Sequence, residues 1–223
     1  MYKNPYVKIK PKTKRPYTEI FLIRHCHPDY SLEKKVGEYN MPLSKIGLKE
    51  RKYLTKRLLK MNIARAYTSN LQRSKETAAD FLKRAKLKGR VSERLDEINW
   101  KYWYRMKYFN MSEAERAKRF EKYHLLDKAL DRMQASVRET MAAIFKENRG
   151  KRVAIFTHGN LIKSLITSVL SADVIGFLSL EIFQSSITKL VIDRDGYVKI
   201  AFINDVSHLP SPPDKDIFIS LVD

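Results

Sequence analysis

Two histidines in this chain directly follow runs of apolar residues. His25 comes after Glu19-Ile20-Phe21-Leu22-Ile23-Arg24, and His158 after Arg152-Val153-Ala154-Ile155-Phe156-Thr157. Imidazole can act as nucleophile or base near neutral pH. Arg24 adjoins the first histidine, and Arg73 falls where a helix is expected to begin. A guanidinium fork suits bidentate contact with phosphate. A cation in a helix's first turn opposes the helix dipole by about 0.3–1 kcal/mol. Arg73 therefore either points into solvent or shares an anion with the helix N-terminus, where both help. Arg24, His25, Arg73 and His158 together form a cationic cluster with one or two nucleophiles, suited to work on an anion.

The elements that must position these residues are legible from periodicity. Residues 19–24 and 152–157 read as strands buried on both faces, each delivering a histidine at its carboxyl end, where open α/β sheets bind ligands. Residues 26–43, with Pro28, Gly37, Asn40 and Pro42, read as a long loop at the first strand tip. Ser44 is expected to cap a helix reaching about residue 61, and Ser69 or Asn70 a helix over 71–85. A strand over 63–69 lies between them. Residues 83–90 read as a turn because of Gly89, and an extended segment from Val91 leads to Leu95-Asp96-Glu97. Aromatics gather at Trp100, Tyr102, Trp103, Tyr104, Tyr108 and Phe109, followed by a polar helix over 112–122. They read as a small helical cap inserted over about 100–130, its aromatics serving either as pocket lining or as ordinary core. A long helix over 131–148, another over 161–170, and a hairpin of 187–192 and 197–203 around Asp195-Gly196 complete the pattern. The order predicts a three-layer α/β/α sandwich with a mainly parallel sheet, in one domain of residues 1–223 with a basic lead-in over 1–17.

Composition sets outer limits. The chain has 223 residues, 43% hydrophobic and 31% charged, as expected of a globular protein. No apolar run is long enough to span a bilayer, and the N-terminus lacks a secretory core. Cys26 is the only cysteine, which excludes an internal disulfide and a multi-cysteine zinc site and fits a reducing, cytoplasmic setting. The formal net charge of +19 attracts anions or simply solvates the surface. Its scatter along the chain argues against a nucleic-acid partner.

The cluster also carries a resemblance. Phe21-Leu22-Ile23-Arg24-His25-Cys26 resembles the signature of the histidine phosphatase superfamily, which includes the cofactor-dependent phosphoglycerate mutases. Asn40-Met41-Pro42-Leu43-Ser44-Lys45-Ile46-Gly47, Thr68-Ser69-Asn70-Leu71-Gln72-Arg73-Ser74, Leu95-Asp96-Glu97, Thr157-His158-Gly159 and Asn204-Asp205-Val206-Ser207-His208-Leu209 resemble further motifs of that family, in order. The resemblance implies a phosphoglycerate mutase-like fold. It implies that His25 becomes a phosphohistidine, that Arg24, Arg73 and His158 hold the phosphoryl oxygens, and that Glu97 is the general acid and base. It implies a metal-independent phosphatase with no cofactor and a small phosphorylated substrate, and it leaves a homodimer open. Ser31, Gly159 and Asn160 are expected at the substrate, Asn160 through its backbone N–H. Cys26 stands where the family has Gly or Ala, which is expected to narrow the pocket and expose it to oxidation. The longer mutase motifs are not visible, which favours phosphatase over mutase.

Other readings fit less of the chain. His25, His27 and Asp29 match a zinc-binding HxHxD, but Tyr30 stands where a further histidine belongs. Cys26 as a phosphatase nucleophile would want arginine at position 32, which is Leu32. A non-catalytic module binding protein or nucleic acid through a basic surface remains the non-enzymatic alternative, as does mutase-type phosphoryl transfer among enzymes.

Overall fold

The computed structural model describes residues 10–100 and 109–211. Its centre is β1 (Thr18–Arg24), whose side chains alternate between two cores. Ile20 and Leu22 enter a cluster with Val137, Met141 and Ile144 of α5 (Asp127–Glu147) and Leu161, Ile162 and Leu165 of α6 (Gly159–Leu170). Phe21 and Ile23 enter the opposite cluster, with Leu54 and Leu58 of α2 (Lys45–Leu58) and Ala78 and Phe81 of α3 (Gln72–Ala85). Burial on both faces explains why the strand reads as a continuous apolar run. Helices thus cover both faces of a six-stranded sheet ordered β3-β2-β4-β1-β5-β6. The strands β2 (Arg65–Thr68), β3 (Gly89–Val91) and β4 (Arg152–Thr157) run parallel with β1, while β5 (Ile187–Ile192) and β6 (Val198–Asp205) form the expected hairpin, in which β5 lies antiparallel to β1. The register aligns Arg24 with Thr157, so His25 and His158 leave neighbouring strands side by side.

Several boundaries differ from expectation. Residues 26–43 are not all loop, since α1 (Glu33–Val36) forms within them. Ser44 does cap α2, accepting from Gly47 N–H, but Ser69 and Asn70 do not cap α3, whose N-cap is Leu71. Gly89 opens β3 opposite Ala66 rather than making a turn, because the absent Cβ leaves room for the Leu82 side chain. The region expected as a cap contains α4 (Glu113–His124), started by a reciprocal Ser112–Glu115 capping box. The long helix α5 begins within that region rather than after it. A helix not anticipated, α7 (Val174–Ser179), packs Val174 and Phe177 against Leu130 and Trp100 in a third apolar cluster. Tyr102, Trp103, Tyr104 and Tyr108 lie outside the described residues, as does the lead-in before residue 10. Residues 10–16 are exposed, with Lys14 paired to Asp195 at 3.0 Å. Among the described residues no helix is long and apolar enough to cross a membrane.

Candidate active site

Every element of the site meets at the carboxyl ends of β1, β2 and β4. His25 is buried there, with Nδ1 2.8 Å from the carbonyl oxygen of Cys26. A carbonyl only accepts, so Nδ1 carries the ring proton and Nε2 the free lone pair. Arg73 Nε–H lies 3.3 Å from that Nε2. Arg73 is itself oriented from the strand-tip loop, donating to the Glu38 carbonyl at 2.8 Å and to its carboxylate at 3.1 Å. Its neighbour in α3, Thr77, accepts the Cys26 N–H at 3.0 Å and donates to the Arg73 carbonyl, locking helix and strand tip together.

The His158 ring is centred 5.1 Å from that of His25. Ser69 Oγ lies 2.6 Å from His158 Nε2 and accepts the Leu71 N–H at 3.2 Å. Among the described residues, buried Ser69 has no other acceptor for its hydroxyl proton, so that proton goes to Nε2 and the imidazole proton sits on Nδ1. Among the same residues His158 Nδ1 has no hydrogen-bond partner, and neither does buried Arg24 Nε. The rest of the Arg24 guanidinium is anchored by Nη1, which donates to the Ile182 carbonyl and lies 3.5 Å from the Glu181 carboxylate. Two buried nitrogens, His158 Nδ1 and Arg24 Nε, are therefore left without a partner beside the His25 imidazole, in one cationic cluster. Burial, reinforced by Arg24 and Arg73, holds the His25 pKa well below its usual value. Burial does the same to His158, with His25 and both arginines adding to it. Both rings are neutral at ordinary pH, as a nucleophile and a directed N–H donor require.

Glu97 and its neighbour Asp96 are separated by their hydrogen bonds. Asp96 accepts from Asn70 N–H at 2.6 Å and from the Tyr39 hydroxyl at 2.7 Å. Glu97 accepts from Ile98 N–H at 3.0 Å and Asn160 N–H at 3.1 Å. Burial raises its pKa, against the pull of Arg24 and Arg73 and of those two N–H groups. The Asn160 N–H expected at a phosphate is thus turned to the carboxylate, while Asn160 Nδ2 donates to the Ile98 carbonyl at 2.9 Å. Gly159 is the first residue of α6 and lets Arg24 pass: a Cβ there would lie 3.3 Å from Arg24 Cζ and Nε. Gly159→Ala is expected to push that guanidinium aside and lower kcat/KM about 10- to 100-fold, the scale of small misplacements at a reacting centre. Steady-state kinetics beside thermal melts check this, a near-normal kcat/KM counting against an oxygen-holding Arg24.

Ser31 is exposed, with its backbone N–H and hydroxyl bonded to the Asp29 carboxylate. The Cys26 side chain faces the core around Phe21 and Leu54, not the recess. Burial, with Glu50 nearby, pushes its thiol up to about 12, so it neither narrows the pocket nor offers a thiolate to oxidants. The HxHxD match also dissolves. His27 Nδ1 pairs with Ser44 Oγ at 2.9 Å, Asp29 caps a 3₁₀ turn, and among the described residues no group of His, Cys, Asp and Glu is placed to hold a metal.

A model of the histidine phosphatase superfamily, branch 1, matches residues 20–205. The chain belongs to that superfamily. It is 26% identical over 219 residues to a metal-independent phosphoserine phosphatase of Arabidopsis thaliana, covering 90% of this chain and 87% of that protein. The fold matches a phosphoserine phosphatase of Entamoeba histolytica, seen as a mutant in complex with phosphoserine, at TM-score 0.67 and 19% identity, over 86% of this chain and 99% of that one. It matches a Bacillus anthracis phosphoglycerate mutase at TM-score 0.66 and 22% identity, over 88% and 96% of the two chains. The histidine phosphatase motifs acquire structural reasons here. A Cβ on Gly47 would strike the His27 carbonyl oxygen at 2.1 Å, so that glycine is what lets α2 approach the strand tip. The tail motif places His208 Nε2 3.1 Å from Ser185 Oγ, while Ser185 N–H donates to the His25 carbonyl at 3.1 Å. Arg57 pairs with Asp205 and fixes the same tail on α2.

Glu38, Ser69 and Ser185 were not singled out from sequence. Ser69 sits within a motif but read as a helix cap. Glu38 and Ser185 act through contacts across the fold that no local spacing encodes.

Proposed function

We propose that the chain is a phosphatase that hydrolyses a phosphomonoester through a phosphohistidine on His25. The observation that carries this reading is the tautomer imposed on His25 by the Cys26 carbonyl, which leaves Nε2 unprotonated and faced by the Arg73 guanidinium. In the first step Nε2 bonds to phosphorus in line as the P–O bond to the alcohol breaks, and Glu97 gives its proton to the departing oxygen. Arg24 Nε, Arg73 and His158 Nδ1–H hold the non-bridging oxygens and stabilise the charge that develops on them. In the second step Glu97, now a carboxylate, takes a proton from water as its oxygen bonds to phosphorus and the P–N bond breaks. Inorganic phosphate leaves and the enzyme is restored.

Phosphoserine is the first ester to try, because it is the substrate named for the Arabidopsis relative. Rapid denaturation during turnover is expected to trap a phosphoryl adduct on His25 that is stable to alkali and lost in acid. An acid-stable adduct, or one mapped to another residue, would sink the proposed nucleophile.

A further inference from the structure

The end of the sheet opposite the site gathers positive charge. Lys88 directly precedes β3, Arg65 opens β2, and Lys151 directly precedes β4, on three neighbouring strands. Gly89 pairs with Ala66, so Lys88 and Arg65 stand level on adjacent strands. Glu19 N–H donates to the Lys151 carbonyl at 3.0 Å, which sets Lys151 beside the start of β1. Strands lie about 4.8 Å apart, so these cations follow the strand starts in a row about 10 Å long. Lys60 and Lys86 flank it beyond the ends of α2 and α3, and Arg149 beyond the end of α5. Among the described residues none of them is in an ion pair. The acids beside the strand starts are already engaged. Glu19 holds Arg152 at 3.3 Å and Lys189 at 2.7 Å, Glu147 holds Arg90 at 2.6 Å, and Asp195 holds Lys14 at 3.0 Å.

Cations at helix ends are favoured by the helix dipole, which accounts for Lys60, Lys86 and Arg149. Sheets have little net dipole, and like charges level on adjacent strands repel. The fold therefore gains nothing from setting Lys88, Arg65 and Lys151 together, whereas an anionic partner would. The scatter of basic residues along the chain, which argued against nucleic acid, is undone by folding. A row one backbone wide suits the successive phosphates of a single strand. Two guanidinia at this end are braced on rings, Arg149 over Phe145 at 5.5 Å and Arg15 over Tyr17 at 5.7 Å. Such bracing favours phosphates at fixed spacing over a fluid lipid surface. The β5–β6 turn adjoins, with Arg194 N–H donating to the Lys14 carbonyl at 3.2 Å. There Tyr197 is 72% exposed, a ring on which an unpaired base can stack.

We propose that this end of the sheet is a docking surface for single-stranded nucleic acid, held through its phosphates without reading of sequence. It lies the length of β4, about 20 Å, from the site, so a docked strand leaves the site open. The inference is independent of the phosphatase reading.

The probe is a fluorescent oligothymidylate of about 20 nucleotides, longer than such a surface covers. Wild type is expected to bind it with an affinity that falls with salt, at a log–log slope of about −2 to −4. The triple variant Arg65→Gln, Lys88→Gln, Lys151→Gln is expected to flatten that slope by about 2 and weaken binding at least about tenfold at low salt, with an unchanged melt. Lys88→Gln alone, at an exposed side chain, should flatten the slope by about 0.7 and keeps the test open if the triple variant folds poorly. Lys88→Arg should bind like wild type. Tyr197→Ala should weaken the single strand by about tenfold and leave a duplex unaffected. Polyglutamate and vesicles containing phosphatidylserine should compete poorly. No binding by wild type, unchanged affinity in the charge variants, or equal effects of Tyr197→Ala on strand and duplex would overturn the proposal. So would competition by polyglutamate or vesicles as strong as that of unlabelled strand.

Discussion

His25→Ala is expected to lower turnover by about 10⁴-fold or more and to abolish the trapped phosphoryl adduct, since removing a nucleophile from a covalent mechanism leaves only binding and electrostatic stabilisation. The variant keeps the backbone around the site. The His25 N–H to Thr157 carbonyl bond and the Ser185 N–H to His25 carbonyl bond do not involve the ring. It does leave the Cys26 carbonyl without its Nδ1–H donor, at about 1–3 kcal/mol of stability. A melt run beside the assay separates loss of fold from loss of chemistry. His25→Gln supplies a polar control of similar reach without an imidazole. A phosphorylated-metabolite panel run on wild type and both variants makes the comparison independent of the natural ester. Equal turnover by wild type and His25→Ala would end the phosphohistidine mechanism, and loss of turnover with a melt collapsed by tens of degrees would shift judgement to the glutamine variant.

What the sequence made legible follows from how locally each feature is encoded. The strand tip was plain because a run buried on both faces interrupted by Arg24-His25 has few other physical meanings. His158 was plain for the same reason, and the parallel register that sets the two side by side follows from the order of strands and helices. Asn160 was placed in the right neighbourhood but given the wrong partner. A helix N-terminus attracts any anion, and only the fold decides that Glu97, from a segment 63 residues away, arrives there. Cys26 was misjudged because position along a motif does not say which face of the strand tip a side chain takes; it turned to the core between α2 and α3. Ser31 is bonded to its neighbour Asp29 in a local turn, a contact the motif position did not announce. Helix α7 went unseen because six residues with a glycine inside carry too little periodicity to register, although Asp173 caps it.

Glu97→Gln is expected to separate the two half-reactions. The amide keeps the size of the side chain and its oxygen can still accept from Asn160 and Ile98, so the fold around it should hold. It cannot protonate a departing alkoxide, and turnover of an alkyl phosphomonoester is expected to fall by about 10²–10⁴-fold. A phenolate such as p-nitrophenolate leaves without that proton, so phosphorylation of His25 should be nearly spared. Hydrolysis of the adduct needs the base, and the variant should therefore accumulate phosphoenzyme after a burst. The pH profile sharpens the test. His25 must be unprotonated, and its pKa lies well below its usual value, so activity should rise with pH only at the acid end. Glu97 must start protonated, and burial raises its pKa, so activity on alkyl esters should fall as pH climbs through that raised value. The two limbs give a bell-shaped profile, and the glutamine variant should lose the alkaline limb while keeping the acid one. Should the alkaline limb survive in Glu97→Gln, the proton donor is another group.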